Sequence, residues 1–274
     1  MKWSATLPVI ASAVLAGSAV LALGAEPPEP IRSYEDLEFA HRSGGPLRLD
    51  LIVPEAPVPP PLVVYIHGGS WIGGSRKPNP FRWLSGYGFA VAAISYRFSS
   101  EAVYPAQIHD CKAAMRWLRS HAGKYGYDGA RIGVIGSSAG AHLAVLLGTT
   151  SGVPELEEPE GSDPDGDSRV QAVVDFFGAT DFLLRAETQP AKTNVPGSPV
   201  FRLLGAPPAG NPALARLASG AFHVTPDDAP LRIYHGAKDQ TVLPDQSLRL
   251  EQACRDAGVA VALRVFPDAG HSLK

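Results

Sequence analysis

The chain has 274 residues but only two cysteines, Cys111 and Cys254. Two thiols cannot frame a disulfide scaffold, and both fall in segments patterned as helix, so buried free thiols are expected. No Cys/His spacing suits a metal site, and the chemistry argued below requires no cofactor. An excess of positive charge is also lacking. Lys and Arg number 24 against 27 Asp and Glu, a net charge of −3. That balance argues against nucleic acid and against anionic membrane surfaces as partners. There is no internal repeat. Apart from the N-terminus, no apolar run is long enough to span a bilayer.

The N-terminal exception is "MKWSATLPVIASAVLAGSAVLALGA". One charge, Lys2, precedes an apolar run that ends in the small residues Ala22, Gly24 and Ala25. This layout predicts a secretory signal peptide over residues 1–25 and a secreted or periplasmic protein. An uncleaved membrane anchor is the alternative, and only in that case is a membrane a partner. Residues 26–274 then have the size of one large domain.

Along that domain, "DLEFAHRSGGPLRLDLIVP" reads as a hairpin around a Gly-rich turn. "PPPLVVYIHGG", "GFAVAAISYRF", "RIGVIGSSAG", "VQAVVDFFG", "LRIYHGAKD" and "VALRVFPDAGH" read as buried strands. Between them lie helical segments, "YPAQIHDCKAAMRWLRSHAGKYG", "AHLAVLLGTT" and "DQSLRLEQACRDAG". Strands alternating with helices predict an α/β fold, a doubly wound and mostly parallel sheet with helices on both faces. Ligands then bind beyond the carboxyl ends of the strands.

Two stretches break the alternation. Residues 152–168 are acidic, and the spacing of Asp163, Asp165 and Asp167 hints at a calcium loop. The twelfth position from Asp163 is Val174 rather than Glu, so a solvated loop is the better reading. Residues 185–222 hold several prolines and are expected to form an excursion above the sheet, near the site.

The chemistry sits at three strand ends. Gly136-Ser137-Ser138-Ala139-Gly140 fits G-x-S-x-G between a strand and a helix, the setting of a nucleophile elbow. The sharp turn strains its central residue and needs small neighbours. In return it holds a hydroxyl clear of the backbone at a helix N-terminus. Spacing makes Ser138 central and Ser137 only its small neighbour. "HGGSW" follows another strand, where Gly69 and Ser70, with Ala139, are expected to donate backbone N–H groups to an oxyanion. A serine nucleophile needs a base, and the base needs an orienting acid. His271 and Asp239 both follow strands, in the chain order Ser138, Asp239, His271. Asp181 is the runner-up acid and Asp245 a further competitor. His67 is read as a support of its loop. His109, His121, His142, His223 and His235 are read as structural or surface residues.

The segments "HGGSW", "AAISYRFS", "YPAQIHDCKAAMRWLR", "IGSSAGAHLA", "VQAVVDFFGATDF", "YHGAKDQTVLPDQS" and "AGHS" together resemble the α/β-hydrolase superfamily. The likeness is to secreted bacterial serine esterases of the hormone-sensitive-lipase-like and feruloyl- or acetylxylan-esterase-like groups. It implies ester hydrolysis by Ser138, Asp239 and His271 through an acyl-enzyme, on a small-molecule or polysaccharide-linked ester. A peptidase of related fold and a non-catalytic binding module on the same fold are the alternatives. Trp71 is expected either to meet a substrate ring or to belong to the core. In such relatives a final helix follows the histidine, whereas here Lys274 stands three residues after His271. Weak anchorage of His271 and exposure of Val261, Leu263 and Val265, or their opposite-face neighbours, are therefore expected.

Overall fold

The computed structural model describes residues 30–157 and 166–274. The expected export segment, residues 1–25, and Asp163 and Asp165 of the acidic stretch lie outside the described residues. Asp167 lies within them and pairs with Arg119 at 3.6 Å.

Eight strands form one sheet. In chain order they are β1 (Ile31–Arg42), β2 (Gly45–Pro54), β3 (Pro61–Ile66), β4 (Ala90–Ile94), β5 (Asp128–Ser137), β6 (Ala172–Phe176), β7 (Leu231–Gly236) and β8 (Val261–Phe266). Across the sheet the order is β1-β2-β4-β3-β5-β6-β7-β8. β2 runs antiparallel to both its neighbours, and the ladders from β4 to β8 are parallel. The β1–β2 pair is the expected hairpin, extended at its N-terminal side. Parallel neighbours need crossovers, and the helices supply them: α1 (Ala106–Ser120), α2 (Ala122–Tyr125), α3 (Ala139–Thr149) and α8 (Asp245–Ala257).

The strand period of two divides the apolar side chains between two faces. Leu62, Val64 and Ile66 of β3 join the larger core with Ile108 and Met115 of α1, Leu143 of α3, and Leu250 of α8. Val63 of β3 points the other way, into a smaller cluster with Leu84, Ile135 and Val174. Helical cover is therefore unequal. The long helices lie on the first face, while Leu84 belongs to the short 3-10 segment Arg82–Tyr87 on the second.

α3 is buried along its whole length and runs through the middle of the molecule. Two glycines allow its N-terminus to sit against the strands. A Cβ on Gly140 would overlap the carbonyl oxygens of Ile66 and His67, and one on Gly136 would overlap that of Gly140.

The Pro-rich excursion is built from four short helices: α4 (Phe182–Thr188), α5 (Pro190–Thr193), α6 (Pro199–Leu204) and α7 (Pro212–Leu217). Proline opens the last three, where its missing N–H costs nothing. Asp181 caps α4, accepting the N–H groups of Leu183 and Leu184 at 3.0 Å each. Both cysteines are buried and free.

Gly140→Ala is expected to destabilise the fold by about 2 kcal/mol or more, because backbone atoms rather than a flexible side chain must move. Gly123→Ala, with nothing near its added methyl, is expected to stay within about 0.5 kcal/mol. Urea unfolding of the two variants checks this, and equal stabilities would refute the packing argument.

Candidate active site

β5 is a central strand, and the chain leaves it through Ser138 at φ 54° and ψ −117°. This is a strained conformation for a residue with a side chain. Two hydrogen bonds hold it. Ser138 N–H donates to the Phe176 carbonyl at 2.9 Å, and the Ser138 carbonyl accepts the His142 N–H at 3.1 Å, the first bond of α3. The turn makes Ser138 the residue that opens α3, immediately before Ala139. Ser137, by contrast, points its hydroxyl at Tyr65, 3.4 Å away.

The loop after β3 lies against this turn. A Cβ on Gly68 would stand 2.8 Å from the Ser137 carbonyl oxygen and 3.4 Å from Ser138 Cβ. The next three residues, Gly69, Ser70 and Trp71, have φ values of 120°, 55° and 60°. Ser70 and Trp71 therefore carry side chains in a region that favours glycine, so this loop is strained as well. Among the described residues, the N–H groups of Gly69, Ser70 and Ala139 donate no protein hydrogen bond. Ser70, Ala139 and Ser138 line one small cavity of about 10 Å³, room for about one water molecule. Trp71, Ala179, Pro199 and Val242 close it, and Gly69 is not part of its wall.

His67 and Trp71 are fixed from behind. His67 is buried, stacks on Tyr96 with ring centroids 4.6 Å apart, and places Nδ1 2.8 Å from the Gly68 carbonyl oxygen. Burial holds its pKa below the ordinary value. Trp71 is a core residue at 2% exposure, which decides between its two expected roles, although its edge reaches the cavity. Its indole N–H donates to His142 Nδ1 at 3.1 Å, and His142 Nε2 in turn donates to the Ala218 carbonyl at 2.7 Å. His142 thus ties α3, the loop after β3 and the excursion together in its neutral form.

Asp239 and His271 meet beyond the ends of β7 and β8. His271 Nδ1 lies 2.6 Å from Asp239 Oδ2. The carboxylate can only accept, so Nδ1 carries a proton and Nε2 faces away from Asp239. The fully buried Asp239 also accepts from Thr241 N–H at 2.8 Å and Val242 N–H at 3.0 Å. Burial alone would raise its pKa. His235, His271 and these two amides outweigh burial and hold the carboxyl well below the usual carboxylate range. The excursion braces the same loop: Arg185 donates to the Thr241 carbonyl at 2.8 Å, and Gln189 to that of Gln240 at 3.1 Å.

The structure brings Asp239 to His271, and Ser138 to Ala139 and Ser70. Among the described residues, Ser138 makes no hydrogen bond to the His271 ring. Asp181 is occupied as the α4 cap and pairs with Arg249 at 3.2 Å, and no hydrogen bond joins it to His271. Asp245 opens α8. After His271, Leu273 packs against the smaller apolar cluster, and Gly270 N–H donates to the Lys274 carbonyl at 2.9 Å. These contacts are an anchorage that the short segment did not predict. Of the three residues expected to be exposed, Val265 is 41% exposed, whereas Val261 and Leu263 are half-buried and pack against the larger core.

Sequence reasoning missed three neighbours of the pair. Phe177, at φ 49°, sets its ring 4.5 Å from that of His271. His235 and Asp175 lie buried behind Asp239. The spacing of His235 four positions before Asp239, at a strand end, was the one available signal.

This order of strands, with the serine turn after β5 and the acid and histidine after β7 and β8, defines an α/β-hydrolase fold. Within that class the chain belongs to the BD-FAE family, whose model matches residues 49–254. It is 32% identical over 216 residues to Esterase LipQ of Mycobacterium tuberculosis, covering 77% of this chain and 50% of that one. It thus spans about half the length of such curated relatives. A solved structure described as a truncated form of carbohydrate esterase from gut microbiota is 31% identical. It superposes with a TM-score of 0.80 over 91% of this chain and 92% of that one. A bifunctional GH43-CE of Bacteroides eggerthii is 32% identical with a TM-score of 0.77, over 88% of this chain and 36% of that one.

Burial pushes the His142 pKa down to about 4, against the opposing pull of the Ala218 carbonyl. The unfolded chain then takes up the proton first. This contribution to stability is complete above about pH 6.5 and is lost as pH falls toward 4, approaching about 3 kcal/mol in acid. Urea midpoints measured from pH 7 to 4.5 should fall more steeply in the natural chain than in His142→Gln. Equal slopes would assign the acid sensitivity to other groups.

Proposed function

We propose that this protein is a serine esterase in which Ser138, His271 and Asp239 form the catalytic triad. The observation that carries the reading is the 2.6 Å contact between His271 and Asp239, on the same sheet edge as the strained Ser138 turn. Esterase relatives over most of the chain support the reaction type.

In this reading each step falls to a named residue. Ser138 Oγ attacks the ester carbonyl while His271 Nε2 accepts the hydroxyl proton. The imidazolium that forms faces Asp239, whose buried carboxylate is kept ionised by its amide donors. The carbonyl oxygen becomes an oxyanion, met by the free N–H groups of Ala139, Ser70 and Gly69 and by the N-terminus of α3. Collapse of the adduct expels the alcohol, which takes the proton from His271 and leaves Ser138 acylated. Water activated by His271 then attacks the acyl carbonyl, and the acid is released as Ser138 regains its proton.

We infer short acyl groups, acetyl above all, because the cavity beside Ser138 has room for about one water molecule. The carbohydrate esterase relatives support an acyl group carried on a polysaccharide. Export by residues 1–25 would bring the enzyme to such substrates.

Ser138→Ala is expected to lower kcat by several orders of magnitude. A residual of about 10³–10⁴ over water would remain, the scale seen when serine proteases lose a triad member. Asp239→Asn should cost about 10⁴ through the wrong imidazole tautomer, whereas Ser137→Ala and Asp181→Asn should keep most turnover. Steady-state hydrolysis of p-nitrophenyl acetate, with mass spectrometry of a phosphonate adduct, decides this. A label on Ser137, or a loss confined to Asp181→Asn, would overturn the assignment.

For the acyl group, kcat/KM for p-nitrophenyl acetate should exceed that for the hexanoate by about tenfold or more, since overfilling a packed site costs on the order of 1–3 kcal/mol. A preference for hexanoate would sink the short-acyl reading.

A further inference from the structure

Asp239 is approached from two sides, and the triad reading uses only one. On the far side stands His235, the fifth residue of β7, with no solvent exposure. Its Nε2 lies 2.9 Å from the Val242 carbonyl oxygen and 3.3 Å from Asp239 Oδ2, the oxygen that His271 takes from the front. A carbonyl only accepts, so Nε2 carries a proton. Nδ1 faces the Ser247 hydroxyl of α8 at 2.6 Å. The contacts form a closed loop. His235 holds the Val242 carbonyl, Val242 N–H holds Asp239 Oδ1, and His235 stands against Oδ2.

The sheet register explains why His235 occupies this place. Ile233 pairs with Asp175 of β6, and His235 is two positions further along the same face. Asp175 is fully buried, its Oδ1 accepts Gly178 N–H at 2.8 Å, and its Oδ2 has no hydrogen-bond partner among the described residues. Burial works to lower the His235 pKa. The Asp239 carboxylate, the Val242 carbonyl and the negative field of Asp175 outweigh burial and leave the pKa raised. Burial also raises Asp175, to about 6, against the pull of Gly178 N–H and His235. A polar pair placed in an otherwise apolar core carries a large desolvation cost, and filling space does not need it.

We propose that His235 is a positioning residue for Asp239: through Nε2 it fixes the Asp239–Val242 turn and the rear of Oδ2, and so sets the direction in which Asp239 presents His271. The inference rests on the Ser138–His271–Asp239 reading. It concerns turnover before substrate affinity, because His235 does not itself line the cavity and reaches its wall only through the Val242 carbonyl.

Two isosteric variants separate this role from a packing role. His235→Gln keeps an N–H donor near the Nε2 position, and His235→Asn keeps a polar atom near Nδ1 but loses the Nε2 donor. With p-nitrophenyl acetate, His235→Asn should lower kcat by about 30–100-fold with KM within about twofold, the scale of a misplacement of about 1 Å at a reacting group. His235→Gln should recover kcat to within about fivefold of the natural chain. Equal losses in the two variants, losses confined to KM, or unchanged kcat in both would overturn the proposal. If neither variant folds, by melting temperature and circular dichroism, Ser247→Ala decides. It leaves Nε2 in place but frees the ring at Nδ1, and kcat should fall about threefold to tenfold. An unchanged kcat would then refute the role. Ser138→Ala and Asp239→Asn run beside these variants. If they retain activity, the triad reading has failed; if they are inactive while His235→Asn is not, only this inference has.

Discussion

Ser138 cannot relax. Its backbone sits at φ 54° and ψ −117° between a central strand and a buried helix, and both ends of the turn are tied by hydrogen bonds. A conformation of this kind costs on the order of 1–3 kcal/mol and persists only where its surroundings over-determine it. Here the surroundings are the ends of β3, β5 and β6 and the wholly buried α3. The glycines beside Ser138 follow from this constraint, since any side chain at Gly136 or Gly140 would meet backbone oxygen. So does the position of the loop after β3, which can lie against the turn only because Gly68 has no Cβ. Other strained residues, Ser70, Trp71 and Phe177, gather at the same edge of the sheet. The sheet holds strain at the edge where the proposed reaction takes place.

The acid is constrained by electrostatics rather than by backbone strain. A buried carboxylate is tolerable only if its lone pairs are met. Asp239 meets two amides, His271 and His235, and the loop that carries it is braced by Arg185 and Gln189 from the excursion. The excursion is thus more than a cover. Helices α4 and α5 reach across to the chain segment 240–243 and link the cavity wall to the acid loop.

This division explains what could be read from the sequence. Ser138 was legible because a strained turn imposes a local composition, small residues at fixed offsets between an apolar strand and a helix. Asp239 and His271 were legible because parallel sheets put their chemistry just past strand ends. The supporting shell was not. His235 and Asp175 come within electrostatic reach through the register between β6 and β7, a tertiary relation that leaves no pattern along the chain. Asp181 stood as the runner-up to Asp239, since a helix cap and the expected acid both follow strands; the partners it finds, two amides of α4 and Arg249, set it apart. The uneven cover of the two faces was equally hidden. Apolar strands announce burial but not which element supplies it.

The two halves of the site differ in how firmly they are held. Ser138 and its donors belong to the centre of the sheet, where the neighbouring strands are buried. His271 follows β8, an edge strand with no fully buried residue, and its segment is held by Asp239, the Phe177 ring, Leu273 and backbone bonds such as that from Lys238 N–H to the Ala269 carbonyl at 2.9 Å. Segments with few buried contacts open at the lowest free energy. In the proposed reaction, a nucleophile fixed at the centre of the sheet and a base carried beyond its edge strand suit acyl transfer. The base must first serve Ser138, then the departing alcohol, then a water molecule, whose oxygens occupy different positions around one fixed carbonyl. Its swing is bounded on one side by Asp239, and that bound has force only while Asp239 itself cannot turn. Precision at the histidine is therefore borrowed from the acid, and precision at the acid from the buried groups behind it.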